Sequence, residues 1–207
     1  ILGSMSLHLG ETMRRVLAGL LLGGLPGIAF GVLAGFVPYV YALTEPWIHA
    51  LMVTPKVALL SYFMLVLGLG DALSLTFIGS VVFLEMAVTV RAGIPAIPQD
   101  LLDTVRLLGA TPRRVLADVV LPSLVPYLLL GTQLGFRQAI RQAILLESIF
   151  AFKGLGYQLW SSAERMQVHG YLAYLLVTAG LGIAVMGLFS RLLLVSSPWF
   201  DPHALRR

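Results

Sequence analysis

Four ionisable residues stand inside long apolar runs of this chain: Glu85, Arg137, Arg141 and Glu147. An ionised side chain near the centre of a membrane span costs about 2.5–3.5 kcal/mol on insertion scales. Such groups therefore face a cavity or a partner charge. Arg137 and Arg141 are four residues apart and share one helix face. Two guanidinium groups there suit an anionic solute. Charges of both signs are present, so the competing expectation is that Arg137 or Arg141 pairs with Glu85 or Glu147 and holds helices together. The four residues are thus candidates either for a translocation path or for intramembrane pairing. Glu85 and Arg91 are six apart and do not face each other on one helix.

Other chemistry finds little support. His8, His49, His169 and His203 are scattered without metal-ligand spacing and read as interfacial side chains, so no metal site is expected. There is no cysteine, which excludes a disulfide framework, a thiolate metal site and a cysteine nucleophile. No Ser/His/Asp arrangement emerges from spacing; Ser61 and Ser123 read as helix-packing hydroxyls. The chain lacks a G-x-x-x-x-G-K-[ST] phosphate loop. Its net charge of +4 is spread out, with no dense basic run of the kind that tracks nucleic acid.

The elements that must position these charges follow from composition. Of 207 residues, 58% are hydrophobic and 12% charged, with a mean hydropathy of +0.90. Soluble domains are about 25% charged. The chain therefore reads as an all-α membrane protein, one domain over 1–207 with about five spans of about 20 residues each. The first run is Val16 to Thr44, with Gly23, Gly27, Gly31 and Gly35 forming a smooth stripe for close helix approach. The second goes from Trp47 to Gly70; "TPK" (Thr54 to Lys56) marks a kink or helix start, and "GLGD" (Gly68 to Asp71) a turn. The third begins at Ala72 and meets Glu85 and Arg91. The fourth begins near Leu121, and the fifth is Tyr171 to Ser190. Between the last two, "GYQLWSSAERMQ" predicts a short amphipathic helix, with Tyr157 and Trp160 at the interface.

Five spans place the two chain ends on opposite sides. With the stretch 101–126 on the cytoplasmic side, that side holds Arg91, Arg106, Arg113, Arg114, Arg191, Arg206 and Arg207. The other holds Arg14, Arg15, Lys153 and Arg165. The positive-inside rule then predicts the N-terminus outside and the C-terminus inside. No charged start, apolar core and cleavage site occur in order, so no signal peptide is predicted. A start at Ile1 predicts that further sequence precedes it.

"LLDTVRLLGATPRRVLADVVLPSLVP", Leu101 to Pro126, concentrates polarity in this apolar chain. Leu101, Leu102, Val105 and Leu108 recur on one helix face, with Asp103 and Arg106 largely elsewhere. Gly109 sits where a helix can end in the left-handed conformation. Thr111 can cap a new helix, with Pro112 in its first position and Arg113 following. The expectation is two short amphipathic helices joined at a glycine, either resting in the headgroups or presented as a rigid knob to a partner.

The spacing here resembles the cytoplasmic loop of inner-membrane permeases of binding-protein-dependent ABC importers. That loop reads E-A-A, three residues, G, nine residues, I, one residue, L-P. This chain has Asp103-Thr104-Val105, Gly109, Val119 and Leu121-Pro122 in the same register. Thr104 and Val105 depart from the alanines. "ETMRRVLAGLLLGGLPGIAFGVLAG" resembles the family's first core helix. "TPKVALLSYFMLVLGLGD" and "ESIFAFKGLGY" resemble its nitrate/sulfonate/taurine branch, so the likeness runs from Glu11 to about Trp199. Glu85 and Arg91 stand where that branch more often has a proline or apolar residue and an aromatic.

The resemblance implies a type I importer permease: half of a translocation path, paired with a second permease subunit, most simply an identical one. Two separate ATPase subunits would carry ATP and Mg, an extracytoplasmic binding protein would deliver solute, and this chain would bind no cofactor and catalyse nothing. A loop over about 98–120 would carry the coupling helix, formed by Leu101, Leu102, Asp103, Val105, Arg106, Gly109, Ala110, Thr111, Pro112 and Arg113. The location implied is a bacterial-type inner membrane, and the solute a small one, an anion such as a sulfonate, nitrate or bicarbonate on the strength of the two arginines. Two other classes compete: a stand-alone secondary transporter or channel that uses the intramembrane charges, and an intramembrane enzyme. The missing catalytic constellation argues against the enzyme.

Overall fold

The structure is a computed structural model that describes residues 2–150 and 153–196. His203, Arg206 and Arg207 lie outside the described residues. Every regular element among the described residues is helical. The first, α1 (Leu2–Phe36), is longer at its start than the expected first run and shorter at its end. Pro38 explains the end: the preceding residue, Val37, is forced extended (φ −112°, ψ 93°), and Pro38 opens α2 (Pro38–Val53). The residues from Tyr39 to Thr44 therefore belong to the second helix. Arg14 and Arg15 lie within α1 rather than ahead of it.

α2 and α3 (Lys56–Leu67) are bent by 103° at Thr54–Pro55, as the Thr-Pro-Lys signal implied. The Lys56 ammonium donates to the Leu51 and Met52 carbonyls at 2.7 and 3.3 Å, satisfying the frayed end of α2. Gly68 and Gly70 then turn the chain with positive φ into α4 (Asp71–Gly93).

α1 packs against α4 along the predicted glycine stripe. A Cβ added at Gly23 would stand 2.0 Å from the Gly79 carbonyl oxygen, and one at Gly27 would stand 2.9 Å from that of Phe83. Such a seam forms only where both backbones can touch.

After α4 the chain makes α5 (Gln99–Leu107), then a single helical turn, α6 (Pro112–Arg114). Here the structure corrects an expectation. There is no separate second helix lying on the surface. α6 continues through a π-helical segment, Val115–Val120, straight into α7 (Leu121–Phe150). α8 (Leu155–Glu164) and α9 (Val168–Ser196) complete the chain.

Among the described residues, four helices are long and apolar enough to cross a membrane, and a fifth span results if the bent α2–α3 pair is one. The all-α membrane bundle expected from composition is therefore present, with four or five spans. Two apolar clusters hold it together. One, around Phe77, Ile78, Phe136 and Leu146, joins α1, α3, α4 and α7. The other, around Val90, Ile94, Leu102, Val120 and Leu124, ties α5 to the lower ends of α4 and α7. α9 runs antiparallel to α7, with Phe189 against Phe136, so it ends on the side where α5 lies.

Candidate functional site

The loop helix is built from local rules. At its C-terminus, the Gly109 N–H donates to the Arg106 carbonyl at 2.9 Å and the Ala110 N–H to the Val105 carbonyl at 3.2 Å. With Gly109 at φ +80°, this is a Schellman stop. The Thr111 hydroxyl then accepts from the Arg114 N–H at 3.4 Å, with Pro112 in the first turn. Both features follow the expected pattern.

The leucines of α5 divide differently from the single face expected. Leu102 is buried against Ile94, Ile97 and Val120, with Val105 and Ala110 packed beside it. These three anchor the loop to the bundle. Leu107 and Leu108 instead stand 87% and 82% exposed at the tip. Asp103 and Arg106 pair at 3.4 Å on the exposed side, and Leu101, Pro112 and Arg113 are exposed as well. Thr104, one of the two departures from the family's alanines, turns its hydroxyl back onto the Asp100 carbonyl at 2.6 Å. Val105, the other, faces inward.

The intramembrane charges are not paired as expected. Glu147 is 1% exposed and binds Arg15 of α1, whose Nη1 donates to it at 2.8 Å. The Thr12 hydroxyl and the Gly156 N–H also donate to Glu147, at 2.8 and 3.1 Å. The Leu155 N–H donates to Thr12, and the Gly154 N–H to His8 Nδ1 at 3.1 Å. The N–H groups of Gly154, Leu155 and Gly156, which no helical bond can satisfy, are therefore met by α1 and α7. His8 is part of this cap rather than a free interfacial side chain. On the outside of the cluster Arg14 binds Asp71 at 2.9 Å, fastening α1 to the start of α4.

Glu85 accepts a hydrogen bond from the Gln138 amide nitrogen at 2.7 Å, and the Gln138 oxygen accepts from Arg141 at 3.4 Å. The amide thus spans a carboxylate and a guanidinium with the matching end toward each. Lys56 lies within electrostatic reach of Glu85. Among the described residues, no ion pair joins Arg137 or Arg141 to Glu85 or Glu147. Arg137 and Arg141 are exposed and border a cavity of about 250 Å³ between α7 and α9, with Gln133 and Thr178 as its other polar residues. Arg137 lies about 15 Å along α7 from Glu147, at 1.5 Å per residue, well inside the span. Arg91, the other unusual charge, stacks over the Tyr41 ring at 3.4 Å, and the Tyr41 hydroxyl donates to Glu45. No group of three potential ligands could hold a metal among the described residues.

The Gln138 bridge and the role of Arg15 escaped the reading of the sequence. Gln138 is uncharged and drew no notice beside Arg137. Arg15 and Glu147 are too far apart in sequence for spacing to join them.

The profile of the binding-protein-dependent transport system inner membrane component matches residues 27–194, and the chain belongs to that family. A probable ABC transporter permease protein of Brucella melitensis biotype 1 is 30% identical over 178 residues, covering 86% of this chain and 70% of the relative. The taurine transport system permease protein TauC of Escherichia coli (strain K12) is 29% identical over 186 residues, covering 90% of this chain and 65% of that protein. Permeases named for aliphatic sulfonates and for nitrate also match, which supports the nitrate/sulfonate/taurine branch. Among solved structures, a chain of the inward-facing MetNI methionine ABC transporter superimposes with a TM-score of 0.82 at 17% identity, over 94% of this chain and 97% of that one. That last likeness is one of fold. The chain is a multi-pass permease subunit of the ABC importer type.

Proposed function

We propose that this permease forms half of an ATP-driven import path and couples to a separate ATPase subunit through α5. The observation that carries this is the tip of the loop helix. Leu107 and Leu108 project 87% and 82% exposed from an element that Leu102 holds rigidly to the bundle. Two leucines at the end of a fixed, capped helix suit an apolar groove on a partner, and apolar anchors dominate such contacts. ATP and Mg would reside on that partner, a second permease subunit would complete the path, and an extracytoplasmic binding protein would bring the solute. The chain would sit in a bacterial-type inner membrane with α5 and the end of α9 on the cytoplasmic side.

The solute in this reading is small and anionic, of the kind named in the relatives: a sulfonate or nitrate, or else bicarbonate. Arginines inside a span almost always face the bundle interior or a water-filled cavity. Arg137 and Arg141 therefore face the water-filled path or the partner that lines it, and the Glu85–Gln138 bridge keeps Arg141 extended toward the cavity.

Co-expression with an ATPase subunit of the same importer tests the coupling. Gly109→Trp should abolish ATP-driven uptake while leaving the subunit in the membrane, because the tryptophan would need the left-handed conformation that Gly109 adopts at φ +80°. Normal uptake by that variant, or full transport by the permease alone, would overturn the reading and favour a stand-alone transporter.

A further inference from the structure

The loop helix and the charged part of α7 are joined by the π-helical segment Val115–Val120. Its closing bond runs from the Leu121 N–H to the Leu116 carbonyl, one residue longer than the α-helical step. The sequence supplies the cause. Pro122 has no N–H to offer the Asp118 carbonyl, and its ring crowds that oxygen, so the turn widens. On the flanks the helix is α-helical: Thr111 caps the start, and α7 continues for 30 residues, with Pro126 a second missing donor one turn beyond Pro122.

Packing around the widened turn is one-sided. Val115 and Val120 are buried against the cluster of Ile94, Leu102 and Leu124. Leu116, Ala117 and Asp118 are exposed. A cavity of about 330 Å³ lies beside the segment, bordered by Phe36, Arg106, Pro112 and Leu116 and reaching Val115 and Val120. The segment is therefore tethered to the cluster on one face, is bare on the other, and has open space beside it. A regular helix bends as a rod, whereas sharp bends concentrate where the hydrogen-bond ladder is interrupted.

We infer that Val115–Val120 is a hinge that turns a displacement of α5 into a tilt of α7, the helix that carries Arg137 and Arg141. Leu102, Val115 and Val120 form its bearing, because they pack into one cluster from both sides of the joint. Arg137 lies about 25 Å beyond Val120 along α7, so a small angle at the joint becomes a sizeable movement at the arginines. This rests on the reading that α5 meets the ATPase.

The test uses the importer assembled with its ATPase. The chain has no cysteine, so Gln99→Cys, at the exposed start of α5 and away from its tip, and Ile149→Cys can carry spin labels without background. The distance between them is measured without nucleotide and with ADP–vanadate trapped. The parent should show a shift. Deletion of Ala117 combined with Pro122→Ala removes the extra residue and restores the missing N–H, so the joint becomes continuous α-helix and the flanking helices keep their faces. Pro122→Ala alone restores the missing N–H by a gentler route and serves if the deletion fails to assemble. Both variants should still bind the ATPase and hydrolyse ATP, yet lose the shift. A shift equal to the parent's in the assembled variants, or none in the parent, overturns the hinge. Failure of the ATPase to co-purify with the parent instead sinks the reading of α5, and the hinge with it.

Discussion

Arg15 and Glu147 lie 132 residues apart in sequence and join at 2.8 Å, in a cluster where the carboxylate is 1% exposed. Their pairing decides how the upper end of the bundle closes, because Glu147 also accepts from Thr12 and from the first turn of α8. Breaking a buried pair by removing one partner costs about 3–5 kcal/mol, since the other charge is left stranded.

Glu147→Ala should therefore lower the thermal stability of the detergent-purified permease markedly and reduce its yield. Glu147→Gln, which can still accept from Thr12 and Gly156, should be milder. Melting curves followed by tryptophan fluorescence check both. An unchanged melting temperature in Glu147→Ala would mean that the cluster contributes no stability.

The α1–α4 seam makes a contrasting prediction. Gly23→Ala places a methyl group 2.0 Å from the Gly79 carbonyl oxygen, so the backbones must separate. Overpacking of this kind costs about 1–3 kcal/mol. Gly180→Ala on α9, where nothing lies within 4 Å, should not lower stability and can raise it slightly. Equal melting temperatures for the two variants would contradict the seam.

Legibility varied with the range of the interaction. The glycine stripe, the Thr111 cap and the Gly109 stop were all readable, because each depends on residues within a turn or two. The end of the first span was misplaced at Thr44 because hydropathy runs unbroken through Pro38, and only backbone geometry breaks there. Arg14 and Arg15 looked like a polar lead-in, since their partners Asp71 and Glu147 come from other helices. Leu-Pro at 121–122 suggested a boundary, whereas the chain absorbs the proline by widening the turn ahead of it. The arginine pair was found as a candidate, but its neutral bridge, Gln138, left no mark in charge or spacing.

The tip of α5 can be separated from its anchor. Leu107→Asp together with Leu108→Asp should prevent co-purification of the ATPase without changing the permease's own melting temperature, because both side chains are exposed. Leu102→Ala empties a buried site and should lower stability by about 2–5 kcal/mol. Retention of the ATPase by the double variant would place the contact elsewhere.

Arg137→Gln and Arg141→Gln should assemble normally, because neither side chain is paired with a carboxylate among the described residues. Each should reduce uptake of the binding protein's solute by about tenfold or more, the worth of one hydrogen bond to a charged group. Gln138→Leu should mimic Arg141→Gln if the amide orients that guanidinium. Loss of assembly rather than of uptake would assign the arginines to helix pairing instead.

Orientation is open to direct labelling. Met166 is 87% exposed in the turn before α9, and Leu108 lies at the opposite end of the bundle. On intact cells an impermeant thiol reagent should label Met166→Cys and leave Leu108→Cys unmodified. The reverse pattern would invert the topology.

The glycine seam also sets an order of events during synthesis. α1 finds its closest neighbour not in the next span but in α4, so it enters the bilayer before that surface exists. At about 5–20 residues per second, the ribosome needs roughly 3–11 s to make the chain from Phe36 to Gly93. For that interval the five glycines of the seam, Gly19, Gly23, Gly27, Gly31 and Gly35, face lipid or the insertion machinery, and any passing helix with a small-residue face can compete for them.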